Sequence, residues 1–213
     1  MPSPSIKICG ISTAGALDAA IQGRADYAGF VFFPKSPRHV TIRNVVSLAA
    51  RAQGRIGNVG LFVNPDDDLL RDAIAAGKLD IIQLHGSESP ERAAQVRENF
   101  GLPVWKALPV ASAGDIDRAS AYHGAADLFL FDAKTPEGTL PGGMGLSFDW
   151  SLLASYRGQT PWGLAGGLNP DNVGDAIHRT GAPLVDTSSG VESAPGVKDV
   201  DRIAAFCKAA RLI

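Results

Sequence analysis

A single (β/α)8 barrel, the TIM-barrel form of the α/β class, is the fold this sequence predicts. Three observations carry the expectation. Eight short runs rich in Val, Ile, Leu and Phe recur along the chain, at residues 6–9, 27–33, 58–63, 80–84, 103–108, 127–131, 161–165 and 183–187. Between most of them lie Ala- and charge-rich stretches with helical spacing, at 14–21, 45–52, 69–76, 91–99, 115–122 and 200–212. The length, 213 residues, suits eight such units at the small end of the barrel range.

Strand, helix, strand, repeated eight times, calls for a parallel sheet, because parallel neighbours are joined only by a crossover. A doubly wound open sheet satisfies the same alternation. It usually has fewer strands, however, and no Gly-x-Gly-x-x-Gly follows the first run. Helix starts are marked at Ser89-Pro90-Glu91 and Asn169-Pro170-Asp171, each a capping side chain followed by Pro at the first helical position. The sixth helix has the faintest signal. Residues 135–145 are rich in Gly and Pro, and only 149–156 can follow them as a helix. No linker or composition shift divides the chain, so residues 1–213 read as one domain.

Composition narrows the function. Hydrophobic residues make up 45% and charged residues 20%, which excludes disordered and fibrous classes. A net charge of −2 without any Lys/Arg-rich run argues against nucleic acid or an anionic membrane as partner. Cys9 and Cys207 are the two cysteines, too few for a disulfide framework. The opening residues lack a signal-peptide core, and no segment approaches the ~20 apolar residues of a membrane span. The expectation is a cytoplasmic protein. The sequence carries no readable signature of its oligomeric state.

In such a barrel the chemistry sits at the C-terminal ends of the strands. Those ends are polar here: Cys9, Asn64, His85, Asp132, Gly166-Gly167, and Asp186 running into Ser188-Ser189-Gly190. Alternation puts Lys7 with Cys9, Gln83 with His85, and Leu130 with Asp132 on the inward face; Ile6, Ile8, Leu84 and Phe131 then face the helices. An inward lysine needs an acid partner. Beside Cys9, its charge is expected to favour the thiolate.

Position alone leaves two readings for each candidate. Cys9 is either core packing or a catalytic thiol, and Asp132 either a strand-end cap or a catalytic acid. His85 is either a satisfied polar group beside Gly86 or a site residue. Arg38 is either a solvated loop charge or a fork for a carboxylate. The segments Gly166-Gly167 and Ser188-Ser189-Gly190 are either tight turns or the phosphate site that loops after strands 7 and 8 often form. His39, His85, His123 and His178 lack ligand spacing, so no metal is expected.

Several of these segments resemble a known family. They are Lys7-Ile8-Cys9-Gly10-Ile11, Gly29-Phe30-Val31-Phe32 with Pro34-Lys35-Ser36-Pro37-Arg38, Gly60-Leu61-Phe62-Val63-Asn64 and Gln83-Leu84-His85-Gly86. The likeness resumes at Phe131-Asp132-Ala133-Lys134-Thr135-Pro136, Phe148-Asp149-Trp150, Ala165-Gly166-Gly167-Leu168-Asn169-Pro170 and Val185-Asp186-Thr187-Ser188-Ser189-Gly190-Val191-Glu192. In this order they resemble the phosphoribosylanthranilate isomerases of tryptophan biosynthesis. One departure is Gly143-Met144-Gly145-Leu146-Ser147, where relatives often carry a Gly-Lys-Thr-like run.

The resemblance implies an Amadori rearrangement of N-(5-phosphoribosyl)anthranilate, a phosphorylated aminosugar, without a cofactor. It implies Asp132 as general acid and Cys9 as general base. It also implies Arg38 on the anthranilate carboxylate, and Gly166, Gly167, Ser188, Ser189 and Gly190 around the phosphate. Lys7, His85 and Asp186 join as substrate-site residues, with Asp186 either partnering Lys7 or bonding the sugar. Two rivals stand beside it. One is a related barrel isomerase of histidine biosynthesis, which uses two carboxylates where Cys9 ends strand 1 here. The other is a non-catalytic sugar-phosphate sensor, from which loss of Cys9 or Asp132 is expected.

Overall fold

The computed structural model describes residues 3–136, 142 and 145–212. Eight parallel strands close into a barrel, each pairing with the next and the last with the first. They are β1 (Ser5–Cys9), β2 (Tyr27–Val31), β3 (Gly57–Phe62), β4 (Ile81–Leu84), β5 (Val104–Val110), β6 (Leu128–Ala133), β7 (Trp162–Leu164) and β8 (Leu184–Thr187). The helices are α1 (Ala14–Gln22), α2 (Ile42–Ala52), α3 (Asp67–Gly77), α4 (Pro90–Phe100), α5 (Ala113–Asp117), α6 (Val173–Thr180) and α7 (Val200–Arg211). No helix among the described residues is long and apolar enough to cross a membrane.

Alternation along the strands sorts the core. Ile6, Ile8, Leu84 and Phe131 pack outward with the helices in one large apolar cluster. Val59, Ile81, Trp105, Ala107, Leu130 and Leu184 form a separate cluster that fills the lower barrel. Cys9, Val31 and Leu61 form a third, nearer the C-terminal ends. The interior is therefore plugged below and open to chemistry above.

Local signals fix the element ends. Thr13, Thr41, Asp66 and Ser89 each accept a hydrogen bond from the backbone N–H three residues on, satisfying an otherwise orphan donor. Each such cap contributes about 1 kcal/mol. At the opposite face from the polar strand ends, three aspartates clamp neighbouring strands. Asp26 accepts from Ile6 N–H, Asp80 from Asn58 N–H and Asp127 from Val104 N–H, at 2.7–2.8 Å.

Three expectations need correction, and one element was not foreseen. Asn169 does not cap α6 directly: its side chain accepts from the N–H groups of Asp171 and Asn172 in a preceding turn, and the helix begins at Val173. The expected fifth helix is five residues of α-helix continued by a 3-10 turn, Arg118–Tyr122. The sixth is a 3-10 turn, Trp150–Ser155, capped by Asp149. Beyond β8 lies a hairpin the sequence reading did not foresee, β9 (Glu192–Ala194) and β10 (Val197–Lys198), turning through Pro195-Gly196.

Candidate active site

At the C-terminal ends of the strands one cavity gathers Cys9, Arg38, His85, Asp132 and Asp186 with the loops Gly166-Gly167 and Ser188-Ser189. Barrel closure brings the ends of the sequence together here. Lys7 and Asp186 are register neighbours across β1 and β8, and Lys7 Nζ lies 2.9 Å from Asp186 Oδ1 with no exposure. Burial works against both charges and raises the Asp186 carboxyl. It would likewise lower Lys7, yet the charge of Asp186, with Cys9 beside it, holds the ammonium above its usual range. At that separation the geometry supports the charged pair. Lys7 lies under the cavity and does not line it, so it supports the site and is not placed to touch a ligand.

Cys9 ends β1 almost fully buried, and the absence of a side chain at Gly29 makes room for it. A Cβ there would stand 3.1 Å from Cys9 Sγ and 3.2 Å from Lys7 Cε. The expected thiolate-favouring effect of Lys7 is present but outweighed. Burial pushes the thiol up, and Asp186 opposes Lys7 at close range, so the net direction is upward.

Asp132, next to last in β6, faces the same cavity. Its Oδ1 accepts from Ala133 N–H at 2.8 Å, and its Oδ2 lies 3.2 Å from His85 Nε2. Gln83 Nε2 contacts His85 Nδ1 at 3.0 Å from behind. Gly166, at φ +84, lets the β7 loop close over this group, for a Cβ would sit 2.6 Å from Ala133 N and 3.0 Å from Asp132 Oδ1.

Arg38 is neither solvated nor an open fork. Its Nε and Nη2 donate to Glu192 Oε1 and Oε2 at 2.7 and 2.8 Å, and its side chain is buried. Lys198 Nζ reaches the same carboxylate at 2.7 Å and also donates to the Ser188 carbonyl and hydroxyl. Burial alone would raise Glu192; hydrogen bonds from Arg38 and Lys198 instead hold it below the usual carboxylate range. Two cations on one carboxylate leave a net charge of +1 on this wall. Ser188 Oγ in turn donates to the Cys9 carbonyl at 3.2 Å, tying the loop to β1. Gly190 is packed against the Leu168 carbonyl and lies behind the cavity lining.

Glu192, Lys198 and Gln83 were not among the sequence candidates. The signal for the first two was the Ala194-Pro195-Gly196-Val197 turn, which predicts a hairpin placing both side chains near the mouth. Gln83 was legible as a partner of His85 on one strand face. The departure at Gly143 and Met144 lies outside the described residues. Among the described residues no group of three or more His, Cys, Asp or Glu is gathered to hold a metal.

Residues 6–209 match the sequence profile of the N-(5′-phosphoribosyl)anthranilate isomerase family. The chain belongs to this family. It is 53% identical over 207 residues to N-(5′-phosphoribosyl)anthranilate isomerase of Paramagnetospirillum magneticum, covering 97% of this chain and 96% of the relative. The corresponding protein of Paracoccus denitrificans is 56% identical over 203 residues, covering 95% and 94%. Among solved structures, phosphoribosylanthranilate isomerase from Thermotoga maritima superposes with a TM-score of 0.89 at 36% identity, covering 99% of this chain and all of that one. A structure of such an isomerase in complex with reduced 1-(o-carboxyphenylamino)-1-deoxyribulose 5-phosphate superposes at 0.86, with 34% identity and coverage of 99% and 100%.

Proposed function

We propose that this isomerase-family enzyme converts N-(5′-phosphoribosyl)anthranilate to 1-(2-carboxyphenylamino)-1-deoxyribulose 5-phosphate, a step of tryptophan biosynthesis, with Asp132 as general acid and Cys9 as general base. One observation carries the reading. Cys9 and Asp132 lie on different strands yet line one cavity, between a wall of net positive charge and a pair of glycine-bearing loops.

The ligand has two anionic ends, and the site offers two places for them. The loops Gly166-Gly167 and Ser188-Ser189 suit the phosphate, through backbone N–H groups and hydroxyls. The Arg38 wall suits the anthranilate carboxylate. Because Glu192 holds the guanidinium fork, that recognition rests on charge more than on a bidentate grip. Gly190 stiffens the phosphate loop from behind. Lys7 with Asp186 fixes the floor.

Asp132 gives a proton to the furanose oxygen, the C1′–O bond breaks, and the nitrogen lone pair closes a protonated Schiff base. Cys9 removes the C2′ proton, and that electron pair forms the C1′–C2′ double bond of an enolamine. Return of a proton to C1′ and loss of the 2′-hydroxyl proton give the ketone. The buried thiol resists ionising in the free protein; the positive Schiff base, once formed nearby, favours the thiolate when it is needed. The test is the anthranilate fluorescence change on mixing with freshly made substrate. A rate equal to the buffer control overturns the reading.

A further inference from the structure

In the mechanism above Asp132 acts as an acid, yet its surroundings are those of a carboxylate. Oδ1 accepts from a backbone N–H, and Oδ2 faces His85 Nε2. Gln83 Nε2–H donates to His85 Nδ1. With that bond made, Nδ1 carries no hydrogen, so the neutral ring has its hydrogen on Nε2 and donates it to Asp132. The three groups are satisfied by one titratable hydrogen. A second has no place: on Nδ1 it meets the amide N–H head-on, and on Oδ2 it meets Nε2–H.

The other end of the amide resolves this. Gln83 is completely buried, and its Oε1 has no hydrogen-bond partner among the described residues. Such an orphan is costly, so its presence beside a reacting carboxyl calls for a function. Turning the amide by half a rotation exchanges N and O with little change of shape. Oε1 then accepts from Nδ1–H, which leaves Nε2 bare to accept from Oδ2–H. The same frame now holds one proton more, and the carboxyl is an acid.

We propose that Gln83 is a positioning residue whose amide orientation sets whether the His85–Asp132 pair holds one hydrogen or two, the turned amide belonging to the acid form. The proposal rests on Asp132 being the acid. The extra proton enters from solvent and passes through Asp132 to the ring oxygen. The proton lost by the 2′-hydroxyl replaces it, while Cys9 returns its proton to C1′, so the isomerisation stays proton-neutral. Charged and titratable groups around the pair are Asp186 with Lys7, Cys9 and Arg38 across the cavity, and Tyr122, Lys134, the Lys106–Glu88 pair and the Asp115–Arg118 pair around the adjoining groove. Changes at Gln83 leave all of them in place.

Nitrogen-15 NMR of histidine-labelled wild-type enzyme reads the device directly. Nδ1 of His85 is expected bare in the one-proton state and protonated once the pair takes up its second proton on lowering pH. Nδ1 unchanged between the two states overturns the proposal, whether or not any variant folds. In kinetics, Gln83→Met is expected to lower kcat about tenfold or more with KM nearly unchanged, short of the ~10²–10⁴ of losing the acid itself. Gln83→Glu, which only accepts, is expected to restore kcat relative to Gln83→Met and to move the limb of the kcat profile set by the acid to higher pH. Wild-type kcat and pH profile in Gln83→Met, with Asp132→Asn inactive, overturns the Gln83 inference alone. Full turnover in Asp132→Asn overturns the acid assignment beneath it.

Discussion

The two sides of the barrel mouth are built from different materials. On the β8–β1 side every charge is locked to another: Lys7 to Asp186, and Arg38 with Lys198 to Glu192. On the β4–β6 side the Lys106–Glu88 pair is locked as well, but beside it an amide, an imidazole and the Asp132 carboxylate are joined in a line. Fixed ion pairs hold their charge across neutral pH, so they suit anion binding and a steady field at Cys9. A hydrogen-bonded line of amide, imidazole and carboxylate changes state by taking up or shifting one hydrogen, which suits proton delivery. The contrast is between a side that must not change and a side that must.

The largest effects should fall where the two sides meet the substrate. Cys9→Ala and Asp132→Asn are each expected to lower kcat by at least ~10²–10⁴, with KM barely moved, in steady-state assays. Near-full turnover in a folded Cys9→Ala enzyme breaks the division and makes His85 the first base to test.

Stability sharpens it next. Lys7→Met leaves Asp186 buried without its partner and is expected to cost ~3–5 kcal/mol in denaturant unfolding. His85→Asn, on the proton-moving side, should cost nearer about 1 kcal/mol. Equal losses would erase the distinction. Arg38→Ala removes one positive charge from the wall that faces the ligand carboxylate and is expected to lower kcat/KM about tenfold, chiefly as raised KM. Kinetics within about twofold of wild type would remove Arg38 from ligand recognition.

Thiol labelling followed against pH gives a smaller signal. Burial raises Cys9, and Cys207 is pushed up to about 11. Alkylation of Cys9 should therefore accelerate only above the ordinary thiol range, with bound product protecting it, and Cys207 should lag. Linkage has the matching sign. A thiol raised on folding favours the folded state fully below its unfolded value, and that contribution is lost as pH climbs towards about 11 for Cys207. Thermal unfolding scans between neutral pH and that limit test the slope; a flat profile contradicts it. The smallest expectation is weak competition by sulfate. Crystals with the anion elsewhere and the loops at Gly166 and Ser188 empty would count against those loops as the phosphate site.

Much of this was legible from periodicity. The alternation of Ile6, Lys7, Ile8 and Cys9 fixed which residues face inward, because only one face of each strand meets the helices. What stayed hidden depends on long-range partners. Arg38 reads as a loop charge until the chain closes and delivers Glu192, 154 residues away. Lys106 shows the limit of the strand pattern. It is as buried as Lys7 but faces the other way, reaching Glu88 Oε2 at 2.9 Å and the Gly86 carbonyl at 2.7 Å, and nothing in Trp105-Lys106-Ala107 announces that acid. The missing sixth helix was the weakest periodic signal, and the 3-10 turn in its place is six residues long, too short to propagate as an α-helix.

The Lys7–Asp186 bond also has a bearing on how the molecule is made. The two residues are 179 positions apart, so a growing chain carries Lys7 long before any acid exists to receive it. Until β8 is synthesised, β1 cannot enter a sealed interior without stranding an ammonium there. Unfinished barrels are thereby discouraged from closing early on the wrong neighbour, and the final closure should be a late, cooperative event dominated by distant contacts. The ion pair under the finished site can therefore form only once the last strand is in place.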